Sequence, residues 1–310
     1  MRVLPIAYDS LGVRSTCTFV ETDTTVLIDP GAALGPSRYG LPPSPPEEAA
    51  LERSIRKIRT YAKKSKIITI SHYHYDHYLP DENIYVNKVL LIKHPTKFIN
   101  KSQKERAARF LEFIDDTPER IEFVAGDKET TEQFEFGKTT MYTSPPVPHG
   151  FKPTLGYVMM CAIVFRGETF IHASDVQGPQ TDEATNWIID HNPDVLYLSG
   201  FPTIFLGWRF PKRNLVKSNE NLIRILTETD VKTIILEHHL LRDLHYKQKI
   251  GPVLETAERL GKYVVTAAEF NGKEPVLLEA MRKELWEEYR KTSSTSKRSV
   301  KSVGRKKKKA

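Results

Sequence analysis

Short apolar and β-branched runs alternate with stretches of helical spacing along most of this chain. Thr18–Thr22 and Thr25–Asp29 are separated only by Asp23-Thr24, which predicts a hairpin. The stretch Gly35–Pro46 is rich in Gly and Pro and predicts irregular chain. Ser44-Pro45-Pro46-Glu47 then supplies an N-cap, prolines for a first turn and an acid three residues on. Leu51, Ile55, Ile58 and Ala62 follow on one helical face, ending at Lys63-Lys64, which suits the negative end of the helix dipole. Ile67–Ile70 reads as a buried strand running into Ser71-His72-Tyr73-His74-Tyr75-Asp76-His77.

Ser102-Gln103-Lys104-Glu105 has the form of a second capping box, opening a helix with Ala107, Phe110, Leu111 and Ile114 on one face. Strands are predicted at Ile121–Val124, Thr139–Thr143, Tyr157–Phe165 and Thr169–Ala173, the last two joined through Arg166-Gly167-Glu168. Strand Val195–Ser199, helix Asn219–Thr229, strand Thr233–Glu237, helix Pro252–Leu260 with Gly261 as its cap, and strand Tyr263–Thr266 then alternate. A last helix over Pro275–Arg290 carries Leu278, Met281, Leu285 and Tyr289 at helical spacing. Strand-rich stretches in both halves, each with covering helices, predict an α/β fold of two sheets packed face to face between helical layers, spanning residues 1–290.

Composition narrows the class. The 310 residues are 39% hydrophobic, as in a globular protein, and the longest apolar run, Tyr157–Phe165, is too short to span a bilayer. The N-terminus lacks a secretory apolar stretch, and Cys17 and Cys161 form no paired motif, so the chain reads as cytoplasmic without a disulfide framework or cysteine zinc knuckle. The net charge of +7 suggests a polyanion partner until its location is considered. Nine of the positive charges lie in residues 291–310, from Lys291 and Lys297 to Lys306–Lys309, with no acid among them. Without them the body stands at about −2, with no basic bias. The tail cannot bury apolar surface and is expected to be disordered, acting as a solubilising extension or as a non-specific contact to nucleic acid.

The segment His72–His77 sets three histidines and one aspartate directly after a predicted strand, where one loop can turn all four toward a point. Imidazole nitrogen and carboxylate oxygen are suitable donors for zinc and similar cations, and a closed structural site needs only four ligands, often including cysteine. This chain offers more donors than that, none of them cysteine. His94, His191 and His245 read as surface or turn residues, and alternation from Asp175 leaves His172 aimed either at the site or into the core. Tyr73, Tyr75 and Tyr78 read first as packing around the loop, with substrate stacking as the alternative. Arg242 is placed either to hold an anionic oxygen or in a surface salt bridge.

The H-x-H-x-D-H segment resembles the signature of the metallo-β-lactamase superfamily, and further motifs follow in the family's order. Asp29 resembles the first-motif aspartate, His149 the third-motif histidine, Asp175 the bridging aspartate and Glu237-His238-His239 the final ligand motif. The likeness spans roughly residues 15–270, and Leu11–Ser15 with the proline-rich loop looks most like an archaeal branch that brings no assigned substrate. The resemblance implies a four-layer αββα sandwich. It also implies that His72, His74 and His149 bind one metal, that Asp76, His77 and His238 bind a second, and that Asp175 bridges them. His238 is preferred over His239 as the last ligand, and Asp29 is expected to brace the histidine loop rather than bind metal.

Two such divalent ions, zinc first and manganese or iron as alternatives, lower the pKa of a shared water to about 7 and supply a hydroxide nucleophile. Asp76 is the residue expected to orient that water or accept its proton. Cysteine in place of Asp175 would mark a β-lactamase and glutamate in place of His74 a flavo-diiron enzyme, so neither activity is expected. The functional expectation is a metal-dependent hydrolase of a phosphodiester, RNA or a nucleotide included. A thioesterase or lactonase is the first alternative, and a non-catalytic metal-stabilised binding protein the second.

Overall fold

The computed structural model describes residues 1–80, 84–114 and 117–291. Six strands form a first mixed sheet: β1 (Arg2–Tyr8), β2 (Thr16–Glu21), β3 (Thr25–Ile28), β4 (Ile67–Ile70), β5 (Val89–Lys93) and β6 (Arg120–Val124), in that spatial order. The pairs β1/β2 and β2/β3 are antiparallel, and the remaining three are parallel. Next come β7 (Glu132–Phe136), β8 (Thr139–Thr143), the short antiparallel pair β9 (Val147–Pro148) and β10 (Tyr157–Val158), β11 (Cys161–Phe165), β12 (Glu168–His172), β13 (Val195–Ser199), β14 (Thr233–Glu237) and β15 (Tyr263–Val265). The second sheet runs in the order β15-β14-β13-β12-β11-β8-β7, parallel from β15 to β12 and antiparallel beyond.

The period of two along each strand divides its side chains between two cores. From the first sheet Val20, Val26, Ile67 and Leu91 meet Met141, Ile163, Phe170, Tyr197 and Ile235 of the second, filling the space between the sheets. The alternate residues Phe19, Leu27, Ile68 and Leu90 pack outward against helix α1 (Pro45–Lys64) and helix α2 (Lys101–Ile114), through Ala50, Ile58, Ala107 and Phe110. On the far side Ala162, Ile171, Leu196 and Ile234 meet α3 (Asp182–Asp190), α4 (Lys212–Glu228) and, past the one-turn α5 (Tyr246–Lys249), α6 (Gly251–Arg259). A further turn, α7 (Ala267–Phe270), follows β15. The four layers are helix, sheet, sheet, helix.

Several elements depart from the sequence expectation. Ser44 does cap α1, its N–H and hydroxyl both donating to Glu47 at 2.8 and 2.9 Å. At α2 the capping side chain is Asn100, which accepts from the Gln103 N–H, rather than Ser102. Helix α4 begins at Lys212 instead of Asn219, because its buried face carries Asn214, Ser218 and Asn221, which interrupt the apolar stripe. The strand predicted over Tyr157–Phe165 breaks at Met159-Met160, where the Met159 N–H leaves the sheet to donate to the Ser71 carbonyl at 3.0 Å. The final helix covers 282–291 rather than starting at Pro275. Residues before it are held in turns, with the Val276 N–H on the Ser10 carbonyl and Leu278 packed at Gly12. Strands β1, β5 and β7 and the two-residue β9 lie outside the expected elements. From residue 292 on, the basic tail lies outside the described residues.

Candidate metal centre

The candidate ligands converge because parallel strands of both sheets deliver them from their carboxyl ends, where backbone turns are free to vary. The end of β3 leads to Asp29, β4 to Ser71–His77, β12 to Asp175, and β14 to His238-His239. Asp29, Ser174, Gln177 and His238 have φ of 48°, 51°, 54° and 58°, a left-handed conformation that is uncommon for non-glycine residues and clusters at functional sites. Gly31 lets the Asp29 turn press onto the histidine loop: a Cβ there would stand 2.1 Å from the Tyr78 nitrogen. His149 arrives from the other side on the loop after β9, its N–H bonded to the Gly156 carbonyl at 3.0 Å.

Asp175 Oδ2 stands at the centre. It lies 3.2 Å from His149 Nε2, 3.4 Å from His77 Nε2, 3.6 Å from His238 Nε2, and 3.9 Å from the Nε2 of both His72 and His239. His74 joins through Nδ1, 2.9 Å from His72 Nε2. Asp76 closes the other side, with Oδ2 3.4 Å from His238 Nε2 and Oδ1 4.0 Å from His77 Nε2. Three groups have their donor atoms close enough to share an ion: His72, His74, His149 and Asp175; Asp76, His77 and His238; and Asp175, His238 and His239. Ligands about 2.0–2.2 Å from a tetrahedral ion sit roughly 3.3–3.6 Å apart, and the five distances to Asp175 Oδ2, from 3.2 to 3.9 Å, bracket that spacing.

A second layer of contacts orients the rings. Asp29 Oδ2 accepts from His77 Nδ1 at 2.8 Å while its two oxygens also take the Ser71 N–H and hydroxyl, each at 2.7 Å. An ionised carboxylate only accepts, so Nδ1 of His77 carries the hydrogen and Nε2 turns its lone pair inward. Asp9 does the same for His238, with Oδ2 2.6 Å from Nδ1. Gln177 Nε2 is 3.2 Å from His149 Nδ1, and Gln103 Nε2 3.4 Å from His74 Nε2.

No protein-family model matches the chain. The UPF0282 protein of Methanocaldococcus jannaschii is 45% identical over 298 residues, covering 92% of this chain and 96% of that protein. The UPF0282 protein of Methanopyrus kandleri is 43% identical over 300 residues, covering 92% and 99%. The chain belongs to the UPF0282 family. Among solved structures, unliganded yeast PDE1 superposes with a TM-score of 0.51 at 12% identity, over 85% of this chain and 96% of that one, which shows a shared fold. Igni18, a metallo hydrolase of Ignicoccus hospitalis, is similar with a TM-score of 0.47 at 11% identity, over 88% and 95%. This UPF0282 member thus has the four-layer αββα sandwich that the sequence resemblance implied, a fold it shares with PDE1.

The electrostatics of the UPF0282 site call for cations. Burial alone would raise the Asp175 carboxyl, but His238, His239 and His77 hold it well below the usual carboxylate range. Burial alone would lower His77, yet the Asp175 and Asp29 carboxylates carry it up to about 10. His72 is pushed well down by burial and by its histidine neighbours. Without a metal, His77 and His238 would each carry a second proton on the inward nitrogen, which a divalent ion would replace. His77 Nε2, His149 Nε2 and Asp175 Oδ1 are buried without any hydrogen-bond partner, which is costly unless an ion takes their lone pairs. The donor set and the orphaned atoms therefore fit divalent ions.

His238 and His239 are both brought to the centre, but only His238 joins Asp76 and His77 and has a carboxylate on its outer nitrogen. His172 faces the core: its Nε2 is 2.9 Å from the Thr16 carbonyl and its ring lies 4.3 Å from Tyr197. His94 caps a turn, His191 stacks on Trp187 and His245 is exposed. Tyr73 and Tyr78 are buried and pack with Phe110, whereas Tyr75 is exposed under Arg106. Arg242 makes no surface salt bridge. It is buried, with Nε 3.4 Å from Asp9 Oδ1 and Nη2 3.3 Å from His238 Nε2. Asp9, Gln103 and Gln177 escaped the sequence reading, since nothing local marks an aspartate after β1 or a glutamine on a helix as facing histidines far along the chain.

A cavity of about 390 Å³ opens beside the cluster and shares His149 and Gln177 with it. Its other lining residues include Lys152, Arg209, Arg213 and Asn214, with Phe151, Leu155 and Phe210 as apolar wall and no acid.

Proposed function

We propose that this chain is a metal-dependent hydrolase working with two divalent ions, zinc in the first place and manganese or iron as substitutes, and that its substrate is a phosphodiester. The observation that carries the reading is Asp175 Oδ2 lying within 3.9 Å of five histidine Nε2 atoms, with Asp76 completing a second ligand group. His72, His74 and His149 would hold one ion and Asp76, His77 and His238 the other, with Asp175 within reach of both. Divalent ions held there would supply hydroxide at neutral pH, since bound water has its pKa lowered to about 7.

The side chains then divide the remaining work. Asp29 and Asp9 fix the ring orientations of His77 and His238, so the inward nitrogens need no reorganisation. Asp76 has its side chain 17% exposed, against 2% for Asp175, and is the cluster's carboxylate that reaches solvent. We assign it the orientation of the attacking water and the acceptance of its proton. An ester that carries charge is supported by the acid-free, cation-lined cavity, which a neutral lactone would not require. Two free, buried cysteines agree with a cytoplasmic setting, and no helix among the described residues is long and apolar enough to cross a membrane.

Hydrolysis of bis(p-nitrophenyl) phosphate by protein reconstituted with zinc or manganese, beside an Asp76→Ala variant and metal analysis, tests this reading. Metal-dependent turnover lost in the variant supports it. Turnover of a thioester or lactone with none of the diester, by protein holding two ions, selects the alternative substrate class. Two tightly held ions with no turnover of any ester select the binding protein.

A further inference from the structure

Three cations surround one small cavity, and among the described residues none of them has a carboxylate within ion-pair reach. Lys152 sits on the loop after His149, Arg209 before the cavity's Phe210, and Arg213 in the first turn of α4. The other charged side chain of that turn is Lys212, so the turn holds two cations and no acid at the positive end of a helix dipole, where cations are disfavoured. Arg209 lies over the rings of Phe205 and Trp208, at 5.2 and 4.9 Å, which holds its guanidinium in place without neutralising it. The body of the chain has no basic excess once the tail is set aside, so this concentration is local. Two amide side chains, Gln177 and Asn214, each 4% exposed, add to the polar lining, and Phe151, Leu155 and Phe210 to the apolar one.

The cavity also has a direction. His149 belongs both to the lining and to the group around Asp175, and Gln177 touches His149 Nδ1. A substrate with its reacting ester at the histidine cluster therefore extends past His149 toward the cations. At about 390 Å³ the space falls in the range of small-molecule sites, ~300–1,000 Å³, and suits one nucleotide-sized unit rather than a duplex.

We infer that the cavity binds a second, terminal phosphate of the substrate through Lys152, Arg209 and Arg213, with the intervening aromatic or sugar unit against Phe151 and Phe210. Resting on the phosphodiesterase reading, this makes the substrate a small phosphodiester that ends in a phosphomonoester, the chemistry of a phosphorylated nucleotide. Water's oxygen forms the new bond to phosphorus as the bond to the leaving oxygen breaks. One proton goes to that oxygen and the other to solvent, while the terminal phosphate is unchanged.

The test compares probes that differ by one phosphate. For metal-loaded protein, thymidine 3′,5′-bisphosphate is titrated calorimetrically against each thymidine monophosphate, and hydrolysis of pTpT is compared with that of TpT. The expected result is at least tenfold tighter binding of the bisphosphate and a tenfold higher kcat/KM for pTpT. Both ratios should fall toward one in Arg209→Gln/Arg213→Gln and recover in part in Arg209→Lys/Arg213→Lys, with metal content and circular dichroism unchanged. Binding ratios within twofold in the unaltered protein, or a preference that survives the double glutamine variant, overturn the inference. Equal turnover of pTpT and TpT overturns it while leaving the hydrolase reading intact. A tenfold binding preference without turnover of any diester supports the cavity's role and removes the phosphodiesterase reading instead.

Discussion

His238 Nδ1 lies 2.6 Å from Asp9 Oδ2, a contact between residues 229 positions apart that ties the end of β1 to the end of β14. Carboxylates on the outer nitrogen of a metal-binding histidine set its tautomer, and their loss typically costs 10–100-fold in metal affinity. Asp9→Asn should therefore weaken binding of one of the two ions by about that factor, read by competition with a chromophoric chelator. Equal affinity for both ions in the variant and the parent would remove Asp9 from the site.

Asp175 Oδ2 lies 3.2 Å from His149 Nε2 and 3.4 and 3.6 Å from the Nε2 atoms of His77 and His238, so it reaches both assigned ion positions, whereas His74 and Asp76 each belong to one ligand group. Asp175→Asn should empty both positions, leaving well under one ion per chain by elemental analysis. His74→Ala should leave about one. An Asp175→Asn protein that keeps two ions would show that the carboxylate is not shared.

Metal binding should depend on pH with a definite sign. Without a metal, the Asp175 and Asp29 carboxylates overcome burial and keep His77 protonated up to about 10, and His238 is raised as well. An incoming cation must displace those protons, so apparent affinity should rise between about pH 6 and 8, by up to about tenfold per unit for each proton released. The same raised pKa stabilises the metal-free fold fully below the unfolded value near 6.5 and is lost as pH rises through about 10. The melting temperature of the metal-free protein should accordingly fall over that interval and that of the metal-loaded protein should not. A metal affinity independent of pH would contradict the proton balance drawn here.

Arg282 and Glu47 form a fully buried pair that joins the last helix to the start of α1, with Arg282 also donating to the Leu41 and Gly35 carbonyls. Removing one partner of such a pair leaves an uncompensated charge and costs about 3–5 kcal/mol. Arg282→Met should lower stability by about that amount in denaturant unfolding. Pairing it with Glu47→Gln should recover part of the loss. A change below ~1 kcal/mol would mean the pair is not buried in solution.

The legible parts of the sequence were those whose determinants are local. The capping box at Ser44, the hairpin around Asp23-Thr24 and the H-x-H-x-D-H loop each declare themselves within a few residues. The layering followed as well, because strands such as Ile67–Ile70 are buried on both faces. What stayed hidden depends on distant partners. Strand β7, with Glu132, Gln133 and Glu135 among its five residues, takes its place only by pairing with β8. Helix α4 hides its first turns behind buried Asn214 and Ser218, which bond to Gln180 and the Gly178 carbonyl. The histidine loop predicted the centre, whereas Asp9 became visible only when β1 was laid beside the last ligand.

The most direct measurement is a titration of metal-free protein with zinc, following bound metal and bis(p-nitrophenyl) phosphate turnover together. A dinuclear hydrolase centred on Asp175 requires turnover to rise with bound zinc and level off at two ions per chain, with no such rise in Asp175→Asn. Zinc failing to bind would show that the cluster around Asp175 is not a metal centre, and bound zinc without any rise in diester turnover would contradict a phosphodiesterase centred there.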